Sequence, residues 1–137
     1  MATDATARNR ARVQEIYAAY LQGNLPFVLD APTDDACWAS GDEAVATPWC
    51  GTHRGREGVQ GYFAALAAEC GIVGYHVDQV ITDGDWVAVT ARARARCHHN
   101  GAEREISKVD VMRLRDGRIS EFHEYHDTSQ IAADLRR

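Results

Sequence analysis

Residues 85–127 read DWVAVTARARARCHHNGAEREISKVDVMRLRDGRISEFHEYHD, and this stretch decides the fold. It reads as three antiparallel strands joined at Asn100-Gly101 and Asp116-Gly117. Both dipeptides suit two-residue hairpins, because a type I′ turn needs positive φ at both central positions. Two-residue turns fix the register. Counting outward sets Glu103 against His98, Glu105 against Arg96, Asp110 against Ala91 and, across the second turn, His123 against Asp110. The same count sets Tyr125 against Lys108 and Asp127 near Ile106. Side chains alternate along a strand. One face therefore carries Val87, Val89, Ala91, Ala93, Ala95, Cys97, Ile106, Lys108, Asp110, Met112, Leu114, Ile119, His123, Tyr125 and Asp127. The other carries Arg92, Arg94, Arg96, Glu103, Glu105, Val109, Val111 and Phe122. The first face is expected to floor a pocket whose ionisable groups gather near Asp110.

Upstream, Val13, Ile16, Tyr17, Tyr20 and Leu21 form one apolar helical stripe, which predicts a helix over Thr6–Gln22 after a frayed 1–5. Gly23 ends it, and Asn24 caps a short second helix that stops before Pro32. Asp35–Ser40 reads as a strand, Ala44–Thr47 as a shorter one, and Pro48–Gly55 as a loop. Val59, Phe63, Leu66 and Cys70 predict a helix over Arg56–Glu69. A strand over Gly74–Thr82 then enters the meander. The expected class is α+β: helices on one face of a curved, mostly antiparallel sheet, in one domain spanning 1–137.

The composition narrows the partners. Net charge is −5 with 26% charged residues, which disfavours nucleic acid, and no apolar run is long enough to span a membrane. A cytoplasmic protein is expected. The four cysteines have neither knuckle nor redox spacing, and no three ligands converge in sequence, so neither metal nor cofactor is expected. The arginine stripe reads as cross-strand ion pairs on a face that also suits a two-fold interface, so a homodimer through the convex face is expected.

Asp110 and His123, facing each other, form a candidate proton-transfer pair. The carboxylate would raise the imidazole pKa, or a dry pocket would keep Asp110 neutral as a donor beside Tyr17. Asp127 is either a second base or a cap on the chain that follows. Lys108 shares the pocket face and could pair with either acid. Trp38, Ser40, Trp49, His53, Phe63, Lys108, Met112 and Tyr125 complete the expected substrate-binding set.

The order of elements, the segment Pro48-Trp49-Cys50-Gly51-Thr52-His53-Arg54-Gly55 and the ending Tyr125-His126-Asp127-Thr128 resemble the SnoaL-like branch of the nuclear transport factor 2-like superfamily. The resemblance implies a cone-shaped roll, commonly dimeric, in the company of ketosteroid isomerases, epoxide hydrolases and polyketide cyclases. It aligns Tyr17 and Asp110 with the isomerase oxyanion donors, whose chemistry is a worked example of a carboxylic acid kept neutral. Asp127 aligns with the acid/base of the cyclases. The isomerase base position is Ser40, and the epoxide hydrolase aspartate is missing from Arg92-Ala93-Arg94-Ala95-Arg96. The implied activity is therefore a cofactor-independent isomerase, cyclase or dehydratase acting on a small hydrophobic carbonyl compound, polyketide- or steroid-like. A non-catalytic small-ligand binder of the same fold is the alternative, with an epoxide hydrolase variant behind it.

Overall fold

The computed structural model describes residues 2–41 and 47–136. Helix α1 (Ala2–Leu21) starts earlier than expected, so residues 2–5 are helical rather than frayed. Asp4 in its first turn complements the positive end of the helix dipole. Helix α2 (Leu25–Asp30) is capped by the Asn24 side chain, which accepts from the Phe27 amide. Strand β1 (Pro32–Ser40) follows, then β2 (Gly51–Arg54), helix α3 (Gly55–Glu69), β3 (Cys70–Asp83), β4 (Trp86–Cys97), β5 (Glu103–Arg115), β6 (Arg118–Tyr125) and helix α4 (Thr128–Leu135). The strand expected over Ala44–Thr47 falls mostly outside the described residues.

The architecture is α+β, with one six-stranded sheet in the order β2-β1-β6-β5-β4-β3. All neighbours run antiparallel except β1 and β6, which are parallel. The alternation seen in the sequence is realised on β4. Val87, Val89, Ala91, Ala93, Ala95 and Cys97 are buried, while Arg92, Arg94 and Arg96 are exposed. Their apolar row meets Val13 and Ile16 of α1 and Val59 of α3 in one core. Helix α1 is also fastened to two turns. Asn9 donates to the Gly84 carbonyl, the Gly84 amide donates to Thr6, and Arg12 donates to the Gly117 carbonyl.

Two register corrections matter for the site. The Asn100-Gly101 connection is a four-residue loop, not a two-residue turn. Cys97 pairs with Ala102, and only Gly101 has positive φ, at 71°. The loop is closed by the Gly101 amide donating to Cys97 and the Ala102 amide to the Asn100 side chain. The β4–β5 register is therefore two residues from the simple count. Glu103 faces Arg96, Glu105 faces Arg94, and Asp110 faces Val89. A slip of two preserves the faces, so every β5 side chain stays on its expected side.

The second correction does not preserve them. Asp116-Gly117 forms the expected tight turn, with φ of 52° and 76°, and Leu114 faces Ile119. Beyond that pair, Arg113 faces Glu121. Ser120 is an extra residue on β6, and its hydroxyl donates to the Arg113 carbonyl. This bulge turns the rest of β6 over. Phe122, expected outside, is buried and stacks on Trp38 with ring centroids 3.9 Å apart. Glu124, not His123, faces Asp110.

Candidate active site

The helices and the inner sheet face line a partly open cavity of about 100 Å³. Tyr17 and Tyr20 line it from α1, Trp38 from β1, and Tyr62, Phe63 and Leu66 from α3. Tyr75, Lys108, Asp110, Phe122, Glu124 and His126 line it from the sheet side. Most of the wall is aromatic or aliphatic. The ionisable groups form one cluster on β5 and β6.

Lys108 and Asp110 are two apart on β5, so both point inward, and the bulge brings Glu124 beside them. The Lys108 ammonium lies 2.5 Å from Glu124 Oε2 and 3.2 Å from Asp110 Oδ1. It also stands over the Tyr75 ring, 5.6 Å from the centroid. Glu124 Oε1 accepts from Ser40 at 2.5 Å and from Tyr62 at 3.1 Å. The Tyr17 hydroxyl donates to Asp110 Oδ2. Asp110 Oδ1 has the ammonium nearby but no directed hydrogen bond.

One lysine cannot neutralise two buried carboxylates, and the two acids respond differently. Burial alone would raise the Glu124 pKa. Lys108, His126 and the hydrogen bonds from Lys108 and Ser40 outweigh it and hold the group at about 2. Burial also raises Asp110, and the negative charge of Glu124 adds to it. Lys108 and the Tyr17 hydroxyl only partly offset the rise, so Asp110 stays above the usual carboxylate range. Burial pushes Lys108 down, yet Asp110 and Glu124 together keep it well above its ordinary value. Lys108 and Glu124 are thus the fixed ion pair. Asp110 is the acid that burial and the neighbouring Glu124 charge bias towards its protonated form. Burial, reinforced by Asp110, raises Tyr17 far above an ordinary phenol and keeps it a donor.

The SnoaL-like domain family matches residues 13–122. The chain belongs to this SnoaL-like family. Solved structures of the same fold cover nearly all of it. An NTF2-like protein of unknown function from Burkholderia pseudomallei is 25% identical, with a TM-score of 0.84 over 95% of this chain and 98% of that one. TerC, crystallised with polyporic acid, is 19% identical with a TM-score of 0.79 over 93% and 97%. A protein from Mesorhizobium loti, provisionally named a SnoaL-like polyketide cyclase, is 16% identical with a TM-score of 0.71 over 84% and 96%. A comparison with curated proteins found no match.

In this SnoaL-like chain the expected site residues divide sharply. Tyr17, Asp110, Lys108, Trp38, Trp49 and Phe63 line the cavity, and Ser40 is one step behind it, holding Glu124. The expected Asp110–His123 pair does not form. His123 faces Val111 and lies on the outer side, because the Ser120 bulge reversed its strand. Tyr125 follows it outward and is 60% exposed. Met112 is in the core but is not part of the cavity wall. His53 bonds the Trp49 carbonyl at 2.8 Å from strand β2, in the segment expected to be a loop. Asp127 is exposed and caps α4, accepting from Ser129 and the Gln130 amide, so its place is that of the cap rather than of a second base.

Glu124, His126, Tyr62 and Tyr75 are the site residues that counting missed. The clue was present. Ile119 and Phe122 are both large and apolar but three residues apart, which a regular strand cannot bury on one face. Among the described residues, no group of three His, Cys, Asp or Glu side chains is arranged to hold a metal ion. No helix among them is long and apolar enough to cross a membrane.

Proposed function

We propose that this chain is a cofactor-independent proton-transfer enzyme, of isomerase, cyclase or dehydratase type, acting on a small hydrophobic carbonyl compound. The observation that carries the reading is Asp110. It is 1% exposed, its pKa is raised, one oxygen is fixed by Tyr17, and the other lies 3.2 Å from the Lys108 ammonium at the wall of a largely apolar cavity. A carboxyl whose pKa is raised is a stronger base when ionised, and can take a proton from carbon and return it elsewhere on the substrate. The removed proton's electron pair passes to the carbonyl oxygen as an enolate, and the adjacent Lys108 ammonium favours that charge. Excluding water strengthens every such interaction.

Cavity size sets the substrate scale. About 100 Å³ is less than the roughly 150 Å³ that holds benzene in an engineered apolar cavity. The space is that of a small molecule, and the cavity is partly open, so its volume scales the buried part of a ligand rather than the whole of it.

The test uses the β,γ-unsaturated isomer of cyclohexenone, whose conversion to the conjugated enone raises ultraviolet absorbance, together with α-deuterium uptake by cyclohexanone in heavy water. Wild type should accelerate at least one of the two. Asp110→Asn should lose about a hundredfold or more, within the range for a general acid–base group, and His123→Ala should leave the rate unchanged. Binding of cyclohexanone without any exchange would instead mark a ligand-binding protein.

A further inference from the structure

The cavity continues outward into a surface groove of about 510 Å³. Tyr20, Phe63, Leu66, Cys70, Ile72 and Tyr75 line both. The groove lies among the end of α1, the start of α2, the second half of α3 and the start of β3. Among the described residues, two other surface hollows share one side chain each with the cavity, Tyr17 and Lys108. Six shared side chains make the groove the mouth of the cavity.

Two local features build this mouth. The apolar stripe of α1 does not stop in the core. Ile16 is 4% exposed, whereas Leu21, the last residue of the helix, is 51% exposed and lies on the groove. Gly23, with φ of 75°, then turns the chain, and Leu25 opens α2 on the same groove. On β3, Ile72 faces Ala95 and Gly74 faces Arg94, so Val73 is an extra residue. The bulge lets Ile72, Val73 and Tyr75 all line the groove, which regular alternation would not allow.

The chemistry of the mouth is uniform. Leu21, Leu25 and Val73 are three of the six large apolar side chains left exposed among the described residues. None of the described residues lining the groove is charged, although charged residues make up 26% of the chain. A single exposed leucine needs no explanation. A charge-free groove that gathers three such side chains and leads to a buried acid cluster marks a binding site. It offers no cation to a phosphate or carboxylate, so the part of a ligand that lies there is uncharged.

Building on the reading of the cavity as the place where a carbonyl is handled, we propose that the groove is a second subsite for the same ligand, holding an uncharged aliphatic tail. The substrate class is then a carbonyl compound with an alkyl chain. Its head fills the inner cavity of about 100 Å³ beside Lys108 and Asp110. Its chain runs out past Tyr20, Phe63 and Tyr75 to lie against Leu21, Leu25 and Val73. These last three are specificity-determining residues for chain length. The continuity of cavity and groove favours one ligand spanning both over a second protein seated outside, because the occupant of the groove touches the cavity's own wall.

The test measures dissociation constants on the full chain by NMR titration with 2-butanone, 2-hexanone, 2-octanone and 2-decanone. A fully buried methylene is worth about fourfold in affinity, and an open groove covers about half of it, so each should add about twofold. 2-Decanone should therefore bind on the order of fiftyfold more tightly than 2-butanone. Val73→Asp and Leu25→Glu, at exposed positions on two different elements, should each cut that ratio by about fivefold or more, because a charge beside an apolar chain opposes its burial. A wild-type ratio near one, a ratio that neither variant changes, or no binding of any ketone overturns the proposal. A second copy seated on the groove would appear in light scattering as a dimer that Val73→Asp splits while the ketone ratio holds, and that result overturns it too. α-Deuterium exchange is followed in the same samples. A length-dependent ratio without exchange sinks the catalytic reading and leaves the tail subsite standing, and exchange with a ratio near one does the reverse.

Discussion

Replacing Lys108 by Met tests the electrostatic arrangement on which the site depends. Lys108 is 11% exposed and Glu124 8%, with 2.5 Å between their charged atoms. Glu124 is held at about 2 instead of its ordinary 4.5. At 1.36 kcal/mol per unit, that difference is worth roughly 3 kcal/mol of stability at neutral pH. Removing one member of a buried ion pair costs about 3–5 kcal/mol in comparable cases, because the other charge is stranded. The two routes agree. A domain of 137 residues has a total of about 7–20 kcal/mol, so the loss is large but survivable. Lys108→Met should lower Tm by about 10–15 °C and shift the urea midpoint at neutral pH. Adding Glu124→Gln should recover at least half, since an amide can still bond Ser40 and Tyr62 without carrying charge. A single variant within about 1 kcal/mol of wild type, or a double variant no better than the single, would refute the assignment of Lys108 and Glu124 as a fixed pair.

Two other outcomes are expected. Glu124 has a folded pKa below its unfolded one, so its contribution is complete above about 4.5 and lost as pH falls towards about 2. Asp110 is raised and acts oppositely: as pH climbs through its folded value it ionises in a dry site and stability declines. Tm measured against pH should therefore peak on the acid side of neutrality, with Glu124→Gln flattening the acid limb and Asp110→Asn the other. Asp127→Ala should speed amide hydrogen exchange at Gln130 several-fold by uncapping α4, while leaving proton transfer to substrate unchanged; a lost reaction would return Asp127 to the chemistry.

Much of this was legible from periodicity alone. The inward rows of β4 and β5 follow from strict alternation, and they survived a wrong loop length because a slip of two keeps parity. Lys108 and Asp110 follow for that reason, and Tyr17 from the helical stripe of α1. The Asn100-Gly101 loop was misread because Asn-Gly also suits longer connections in which only the glycine is left-handed. Helix α4 was missed although Asp127-Thr128-Ser129-Gln130 has the form of a helix start, with a capping acid and a glutamine three residues on. Strand β2 is four residues at a sheet edge, too short for alternation to stand out. Glu124 and His126 were invisible to any count that assumed one residue per ladder rung. A single serine bonded to the opposite carbonyl broke that assumption.

That serine behaves like a reading frame for the sheet's inner surface. With it, Phe122, Glu124 and His126 look into the hollow; remove it, and Glu121, His123 and Tyr125 take their places while Asp110, on the neighbouring ribbon, does not move. One inserted or deleted amino acid at this position would exchange the side chains that β6 turns towards the hollow, Phe122 and its stack on Trp38 included. A fold with such a hinge between sequence and surface can acquire a different set of acids and bases in a single genetic event.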